Sequence, residues 1–313
     1  MTELIRGLYN LGDRNKGCVL TIGNFDGLHR GHQALIRVLR QQAERLKLPS
    51  CVMLFEPHPQ EFFLGEKAPA RLMSLCEKVK IFRELSVDRV CCLRFNQCLA
   101  DMEAEAFIKE ILVQRLGVHL VVIGDDFKFG RTRQGDFDRL KKCGQQYQFE
   151  VYRTKTELLS GQRIGSSRVR DAVERGNFVL ASQLLMRPFT LSGRIIRGEQ
   201  RGRLLGFPTA NISLHRLILP LTGVFVVRVH GVGKKPLHGV ANCGIRPTVD
   251  GLKKLLEVHL LDFYKNIYGC KLEIEFLERI RDERKFASLE ALKEQITKDV
   301  SFATEYFTSK SYV

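Results

Sequence analysis

The chain has 313 residues, 44% of them hydrophobic, which is long enough for two domains and apolar enough to bury a core in each. No stretch approaches the ~18–20 uninterrupted apolar residues of a membrane span, and the first ten residues lack the apolar core of a signal peptide, so a cytoplasmic location is expected. The net charge of +15 indicates acidic partners: nucleic acid, an anionic membrane or phosphorylated small molecules.

The first half of the chain alternates short apolar runs with segments of helical spacing. The apolar runs predict buried strands at residues 18–23, 51–55, 89–95 and 119–124. Helices are predicted at residues 31–46, 73–86, 103–116 and 136–147. This alternation predicts an α/β domain whose parallel sheet is covered on both faces and whose ligands bind beyond the carboxyl ends of the strands.

The pattern changes after about residue 187. Short alternating runs separated by Gly and Pro predict a small antiparallel β-barrel, and residues 288–307 have helical spacing, with Ser288 as a candidate N-cap. We therefore expect domains at residues 1–186 and 187–313. The nine cysteines form no C-x-x-C pair, so we expect reduced structural thiols and no zinc.

Two histidines lie where the first predicted strand gives way to a helix. His29 and His32 are three residues apart and share a helix face at the N-terminus, where free N–H groups favour phosphate. Gly27 permits a tight turn, and Gly31 removes a side chain between the histidines. This arrangement favours a polyphosphate site over two unrelated surface histidines.

The stretch GNFDGLHRGH (23–32) resembles the H-x-G-H signature of the nucleotidyltransferase superfamily. Its longer form resembles the adenylyltransferase half of bacterial bifunctional riboflavin kinase/FAD synthetases. The stretches FEPHPQEFF (55–63), VIGDDFKFGRTRQGD (122–136) and RIGSSRVR (163–170) match that family in the same order. At residue 165 a glycine replaces the family's usual serine, and Ser167 replaces its threonine.

This first resemblance implies a Rossmann-like nucleotidyltransferase domain with a defined set of site residues. The implied catalytic residues are His29 and His32. The implied nucleotide-binding residues are Gly23, Asn24, Phe25, Asp26, Gly31, Asp126, Ser166, Ser167, Arg168 and Arg170. The implied flavin-binding residues are His58 and Phe127.

The second half resembles riboflavin kinase. GRIIRGEQRGRLLGFPTANI (193–212) has neither the Lys-Ser/Thr ending of a P-loop nor the G-x-G-x-x-G of a dinucleotide fold. Its GFPTAN element, with GVANCGIRPTVDG (239–251) and LEVHLLDF (256–263), matches the kinase family. The resemblance implies nucleotide contacts from Gly206, Pro208, Thr209 and Asn211, of which Thr209 and Asn211 also hold Mg²⁺. It implies Glu257 as the general base, and Arg281 and Phe286 as flavin-binding residues. Pattern alone would make Glu257 a solvated residue on the polar face of its strand.

The function expected from these resemblances is the conversion of riboflavin to FMN and of FMN to FAD, with ATP as the substrate of both steps. The net charge then fits small anionic substrates, without nucleic acid or membrane. Residues 163–203 carry nine arginines and three acidic residues. Two alternatives stay open: a single-activity nucleotidyltransferase with a binding-only barrel, and a basic RNA-binding protein. Self-association is not readable from the sequence.

Overall fold

The computed structural model describes residues 2–197, 205–214, 216–248 and 251–310. The chain forms two compact units. One contains the chain up to Pro69 and Met73–Ser166, and the other contains Ala70–Leu72 and the chain from Ser167 onward. Residues 198–204 and 249–250, which belong to two of the kinase-like motifs, lie outside the described residues.

The first unit is built on a six-stranded parallel sheet of order β1-β4-β3-β2-β5-β6. Its strands are β1 (Glu3–Arg6), β2 (Cys18–Ile22), β3 (Ser50–Glu56), β4 (Arg89–Arg94), β5 (Val118–Ile123) and β6 (Glu150–Arg153). Every residue of β2 is buried, as expected for a strand covered on both faces. The four predicted strands are confirmed. The edge strands β1 and β6 were not predicted because they are short and carry charged residues at both ends.

Helices cover this sheet. They are α1 (Arg30–Leu46), α2 (Pro59–Leu64), α3 (Leu75–Glu84), α4 (Gln97–Ala100), α5 (Ala104–Ala106, continued as a π-helix over Phe107–Arg115) and α6 (Phe137–Tyr147). Helix α3 begins with a capping box in which Ser74 and Glu77 each accept the other's backbone N–H. A short hairpin of β7 (Leu158–Leu159) and β8 (Gln162–Arg163) follows the sheet.

The second unit contains a closed antiparallel barrel of order β10-β13-β12-β11-β14-β9. Its strands are β9 (Thr190–Ile196), β10 (Thr209–Ser213), β11 (Gly223–His230), β12 (Leu237–Thr248), β13 (Gly251–Leu260) and β14 (Lys271–Arg281). The predicted barrel is therefore confirmed. Helix α9 (Leu289–Lys310) begins where Ser288 Oγ accepts the N–H of Ala291 at 3.2 Å, which confirms the predicted N-cap.

Alternation along the barrel strands separates an inner from an outer face. Val224 and Val226 of β11 pack against Ala303 and Phe307 of α9, so this face is the outer one. Along β13, Leu256, Val258 and Leu260 are buried, whereas Glu257 and His259 are half-buried on the other face. This agrees with the predicted alternation.

Two helices preceding the barrel belong mainly to the second unit. They are α7 (Ser166–Glu174) and α8 (Phe178–Leu185). The ring of Phe178 lies 5.8 Å from those of Phe225 and Phe276, centroid to centroid. The compact division therefore comes some twenty residues before the expected boundary at 186–187. Helical spacing identifies a buried helix face but not the surface that buries it.

None of the described helices is both long and apolar enough to cross a membrane.

Candidate active sites

The loop between β2 and α1 carries the two histidines. Three of its residues adopt left-handed backbone conformations: Phe25 (φ 49°), Gly27 (φ 84°) and Leu28 (φ 44°). Such conformations are unfavourable for non-glycine residues and concentrate at functional sites. They lead the chain from the carboxyl edge of the sheet directly into the N-terminus of α1, as the sequence predicts.

His29 and His32 are stacked at this helix terminus. Their ring centroids are 3.7 Å apart and their planes differ by 17°. His29 is the N-cap of α1, and its Nδ1 accepts the backbone N–H of His32 at 3.3 Å. Because Nδ1 is the acceptor, the ring proton lies on Nε2, which is then a donor. A Cβ added to Gly31 would lie 3.3 Å from the His29 ring, so glycine keeps this ring in place.

His32 is held in its neutral form. Burial lowers its pKa well below the usual 6.5, and the nearby His29 and Lys78 lower it further. Its Nδ1 is buried and makes no hydrogen bond within the described part of the chain. A neutral imidazole with an unsatisfied ring nitrogen can form a hydrogen bond to a ligand without first losing a proton.

Lys78 is a residue that sequence reasoning missed. It is 1% exposed, and its Nζ donates to the backbone oxygen of Asn24 at 2.7 Å. A positive charge is thus buried beside the histidine loop. The signal was present in the sequence: Lys78 lies four residues before the buried Phe82, on the apolar face of α3, where a lysine is unusual.

Two residues predicted to bind nucleotide support the loop through their side chains. Phe25 is 1% exposed, and its ring packs edge-on against Phe82 with centroids 5.5 Å apart. Asp26 is buried and accepts the backbone N–H of Met73 at 3.0 Å. The Phe25 side chain is thus committed to the core, so a nucleotide contact there would fall to the loop backbone. Gly23 and Asn24 lie at the exit of β2, where the sequence predicts them.

Two further strand-exit segments hold His58 and Phe127, predicted to bind flavin, and Asp126, predicted to bind nucleotide. His58 is buried and caps α2, its Nδ1 accepting the N–H of Gln60 at 3.1 Å. Phe127 is half-buried and stacks on Phe129, with centroids 5.4 Å apart. Asp126 is exposed and pairs with Arg163 at 2.7 Å.

The RIGSSRVR stretch is where the chain passes from one compact unit to the other. Ser166 Oγ donates to the backbone oxygen of Asp26 at 2.8 Å, which ties it to the histidine loop. Ser167 is exposed and Arg168 half-buried, and Arg170 Nε donates to the backbone oxygen of Ala70 at 2.7 Å. At Gly165 an added Cβ would meet no atom within 4 Å, so the family's serine would fit there.

In the barrel, the predicted kinase residues converge on the outer face. Asn211 of β10 pairs directly with Glu257 of β13, and Thr209 pairs with His259. Directly paired residues project to the same face, with Cβ atoms ~4.5–5.5 Å apart. The strand register therefore brings Thr209 and Asn211 to the same face as Glu257, which lies nearly fifty residues later in the sequence.

The turn before β10 is held by His259, which the sequence analysis did not select. Its Nδ1 lies 2.9 Å from the backbone oxygen of Pro208, and its ring meets that of Phe207 edge-on. Gly206 has a φ of 90°, a conformation that favours glycine. These contacts fix the start of the strand that carries Thr209.

The donor atoms on this face suit a hard divalent cation. A hydroxyl, an amide oxygen and a carboxylate are the oxygen ligands that Mg²⁺ takes, with phosphates and waters completing its shell. Among the described residues no group of three His, Cys, Asp or Glu could hold a metal ion unaided. The residues thus fit a cation that arrives with a nucleotide.

Arg281 and Phe286, predicted to bind flavin, lie beside α9. Arg281 makes a two-pronged ion pair with Asp299, with distances of 3.0 Å from Nε to Oδ1 and 2.7 Å from Nη2 to Oδ2. Its guanidinium also lies 5.6 Å from the ring centroid of Phe286. Arg281 therefore anchors α9 to β14, and Asp299 is a partner that strand and helix patterns alone do not reveal.

Comparison with known protein families gives a separate match for each half of the chain. Residues 12–168 match the family model for FAD synthetase, and residues 185–307 match that for riboflavin kinase. The Escherichia coli K12 protein named bifunctional riboflavin kinase/FMN adenylyltransferase is 48% identical over 97% of this chain and 98% of its own length. The Haemophilus influenzae protein of the same name is 47% identical over 98% of this chain and 100% of its own.

A crystal structure from Streptococcus pneumoniae, titled a macrolide-efflux protein, has a similar fold. Its TM-score is 0.79 and its sequence identity 29%, over 97% of this chain and 98% of that one. Both halves of the sequence, their order and nearly the whole length thus match in known proteins. The chain belongs to the bifunctional riboflavin kinase/FMN adenylyltransferase family.

Proposed function

We propose that this chain makes FAD from riboflavin in two ATP-dependent steps at two sites. In the barrel, riboflavin is phosphorylated to FMN. At the histidine loop, FMN is adenylylated to FAD with release of pyrophosphate. The observation that supports this most is that each family model covers its own set of site residues: the stacked histidines in one unit, and the Asn211–Glu257 pair in the other.

In the kinase step, the 5′-hydroxyl oxygen of riboflavin attacks the γ-phosphorus of ATP. The new O–P bond forms as the bond to the β-phosphate oxygen breaks, and ADP leaves. Glu257 accepts the hydroxyl proton. Thr209 and Asn211 would hold Mg²⁺, which when bound neutralises charge on the phosphates. Such transfers depend mainly on positioning and electrostatics.

In the adenylyl step, a phosphate oxygen of FMN attacks the α-phosphorus of a second ATP, and the bond to the leaving pyrophosphate breaks. No covalent enzyme intermediate is needed, because the nucleophile belongs to the substrate. His29 donates through Nε2 to a phosphate oxygen, and His32 stabilises the same developing charge. Ser166, Arg168 and Arg170 bind the departing pyrophosphate.

The flavin contacts are proposed for segments beside each catalytic pair. His58 and Phe127 follow strands β3 and β5 of the first unit, at the same sheet edge as the histidines. Phe286 lies beside the Arg281–Asp299 pair of the second unit. We place the boundary between the two activities at residues 186–187, because the kinase family model begins at residue 185.

The partners proposed on this basis are ATP, riboflavin and FMN. All the phosphorylated species are anions, so a net charge of +15 accelerates their capture. This accounts for the charge without nucleic acid or membrane.

Paired substitutions test the assignment of the two sites. His32→Ala should lower FAD formation at least about a hundredfold, the usual effect of losing a donor to transition-state charge, and should leave FMN formation unchanged. Glu257→Ala should abolish FMN formation from riboflavin. The same variant should still convert supplied FMN to FAD at the wild-type rate. Chromatography of the flavins after incubation with ATP and Mg²⁺ measures both.

Circular dichroism and thermal unfolding of each variant control for misfolding. If either substitution removed both activities from a folded protein, the assignment to two sites would be wrong. Salt-sensitive RNA binding without ATP turnover in the wild type would instead favour an RNA-binding protein.

A further inference from the structure

A third polar residue lies in line with the proposed kinase pair. Glu257 of β13 pairs with Asn211 on one side and with Asn242 of β12 on the other. Directly paired residues share a face, so the three side chains form a row across three adjacent strands, with Asn211 and Asn242 on either side of Glu257. Its two neighbours along β12, Ala241 and Cys243, are fully buried on the opposite face.

Asn242 differs from its surroundings in having an unsatisfied oxygen. Its Oδ1 is buried and accepts no hydrogen bond within the described part of the chain. Burying an acceptor without a donor is unfavourable, and native proteins retain few such groups. The next residue in the row, Val224 of β11, is apolar and packs against α9. An apolar residue would therefore satisfy packing at this position, and packing does not explain the asparagine.

The position of Asn242 indicates which hydrogen-bond donors could reach its Oδ1. Glu257 is the proposed acceptor of a hydroxyl proton, and Asn211 is a proposed ligand of a hydrated cation. Both assignments bring O–H groups to this row: the ribityl hydroxyls of riboflavin and the waters bound to Mg²⁺. An amide oxygen is a suitable acceptor for either.

We propose that Asn242 is a substrate-side residue of the kinase site, whose Oδ1 accepts a hydrogen bond from an O–H donor when the site is filled. This inference rests on the proposed kinase function. The buried Oδ1 of Asn242 then has a hydrogen-bond donor only when substrate is bound. Active-site residues commonly lower the stability of the free protein in this way.

Replacement by leucine, which has a similar shape, separates this role from a structural one. Asn242→Leu removes the unsatisfied acceptor, so the midpoint of thermal unfolding should stay the same or rise. FMN formation should fall about tenfold or more, the usual effect of one lost hydrogen bond to a substrate. FAD formation from supplied FMN should not change.

Asn177 provides a matched control. Its Oδ1 caps α8 by accepting the N–H of Leu180 at 3.0 Å, so its hydrogen bond is already made within the protein. Asn177→Leu should lower the unfolding midpoint and leave both activities at the wild-type level below that temperature.

Two binding measurements on the Asn242→Leu variant distinguish the donors. If the donor is a ribityl hydroxyl, quenching of riboflavin fluorescence without metal should show affinity about tenfold weaker, with ADP binding unchanged. If it is a metal-bound water, calorimetry should show that Mg²⁺ no longer strengthens ADP binding, with riboflavin affinity unchanged. Either result supports the proposal.

The proposal is overturned if the variant phosphorylates riboflavin like the wild type. It is equally overturned if the loss of FMN formation merely follows a loss of stability, as in a structural role. If the wild-type chain forms no FMN, the proposed function itself fails and this inference fails with it.

Discussion

At the scale of single residues, His32 shows how burial sets chemistry. Burial lowers its pKa most, and the nearby His29 and Lys78 lower it further, so the folded chain keeps this imidazole neutral at pH 7. A neutral imidazole approaches a polyphosphate as a hydrogen-bonding group and not as a counter-ion. Within the first unit, the positive charge near His32 is carried by Lys78.

The lowered pKa of His32 makes a prediction about stability. The unfolded chain takes up a proton near pH 6.5, whereas the folded chain resists it, so the free energy of unfolding should fall as the pH drops from about 7 to about 5. The slope from one such group is at most about 1.4 kcal/mol per pH unit. His32→Asn should flatten it, as measured by urea unfolding across this range.

His238 sets the background for that measurement. Burial and the nearby Arg228 lower its pKa as well, so some slope should remain in the His32→Asn variant. An unchanged slope in that variant would show that His32 already binds its proton as easily when folded as when unfolded.

At the start of helix α1, the sequence predicted where residues lie better than it predicted which side chains they contact. Residue spacing correctly predicted that His29 and His32 lie together at the helix N-terminus and that Gly27 lies in a tight turn. It could not show that Phe25 is buried against Phe82, because that contact joins segments nearly sixty residues apart. Asn242 was missed for the same reason, since only the β12–β13 register places it beside Glu257.

At the scale of elements, the Arg281–Asp299 pair joins the last helix to the barrel. The Asp299 side chain is 3% exposed and that of Arg281 18%. A buried charge left without its partner is strongly unfavourable, usually by about 3 kcal/mol or more. The contact therefore depends on both residues being present.

Asp299→Asn should lower the free energy of unfolding of the second unit by about 3 kcal/mol, because it leaves the Arg281 guanidinium without a counter-charge. Urea unfolding followed by circular dichroism measures the loss. Asp13→Asn is the control: Asp13 pairs with Lys16 at 2.8 Å, but its side chain is 95% exposed, so no measurable change is expected. Equal effects of the two substitutions would show that burial does not strengthen the Arg281 pair.

Periodicity predicted most elements because each has one dominant buried face. The central strands β2–β5 are predominantly apolar and buried, and α1 and α6 have clear apolar stripes. The edge strands β1 and β6 carry no such signal, since partial exposure permits charged residues there. The π-helical turns of Phe107–Arg115 were predicted as ordinary helix, because hydrogen-bond pitch leaves no trace in residue spacing.

At the scale of the whole molecule, one chain combines an α/β unit and a β-barrel unit. The change from helical to alternating spacing near residue 187 was visible in the sequence, whereas the packing of α8 on the barrel was not. Each unit has its own core and its own set of proposed catalytic residues. We therefore expect two chemically independent steps that share ATP as a substrate.

The central claim is that this chain performs both steps, and product stoichiometry tests it most directly. The purified wild-type chain, incubated with riboflavin, ATP and Mg²⁺, should form FMN first and FAD later. Each FAD should be accompanied by one ADP and one pyrophosphate, as quantified by chromatography. FMN accumulation without FAD, or no phosphorylated flavin from an intact protein, would contradict the account.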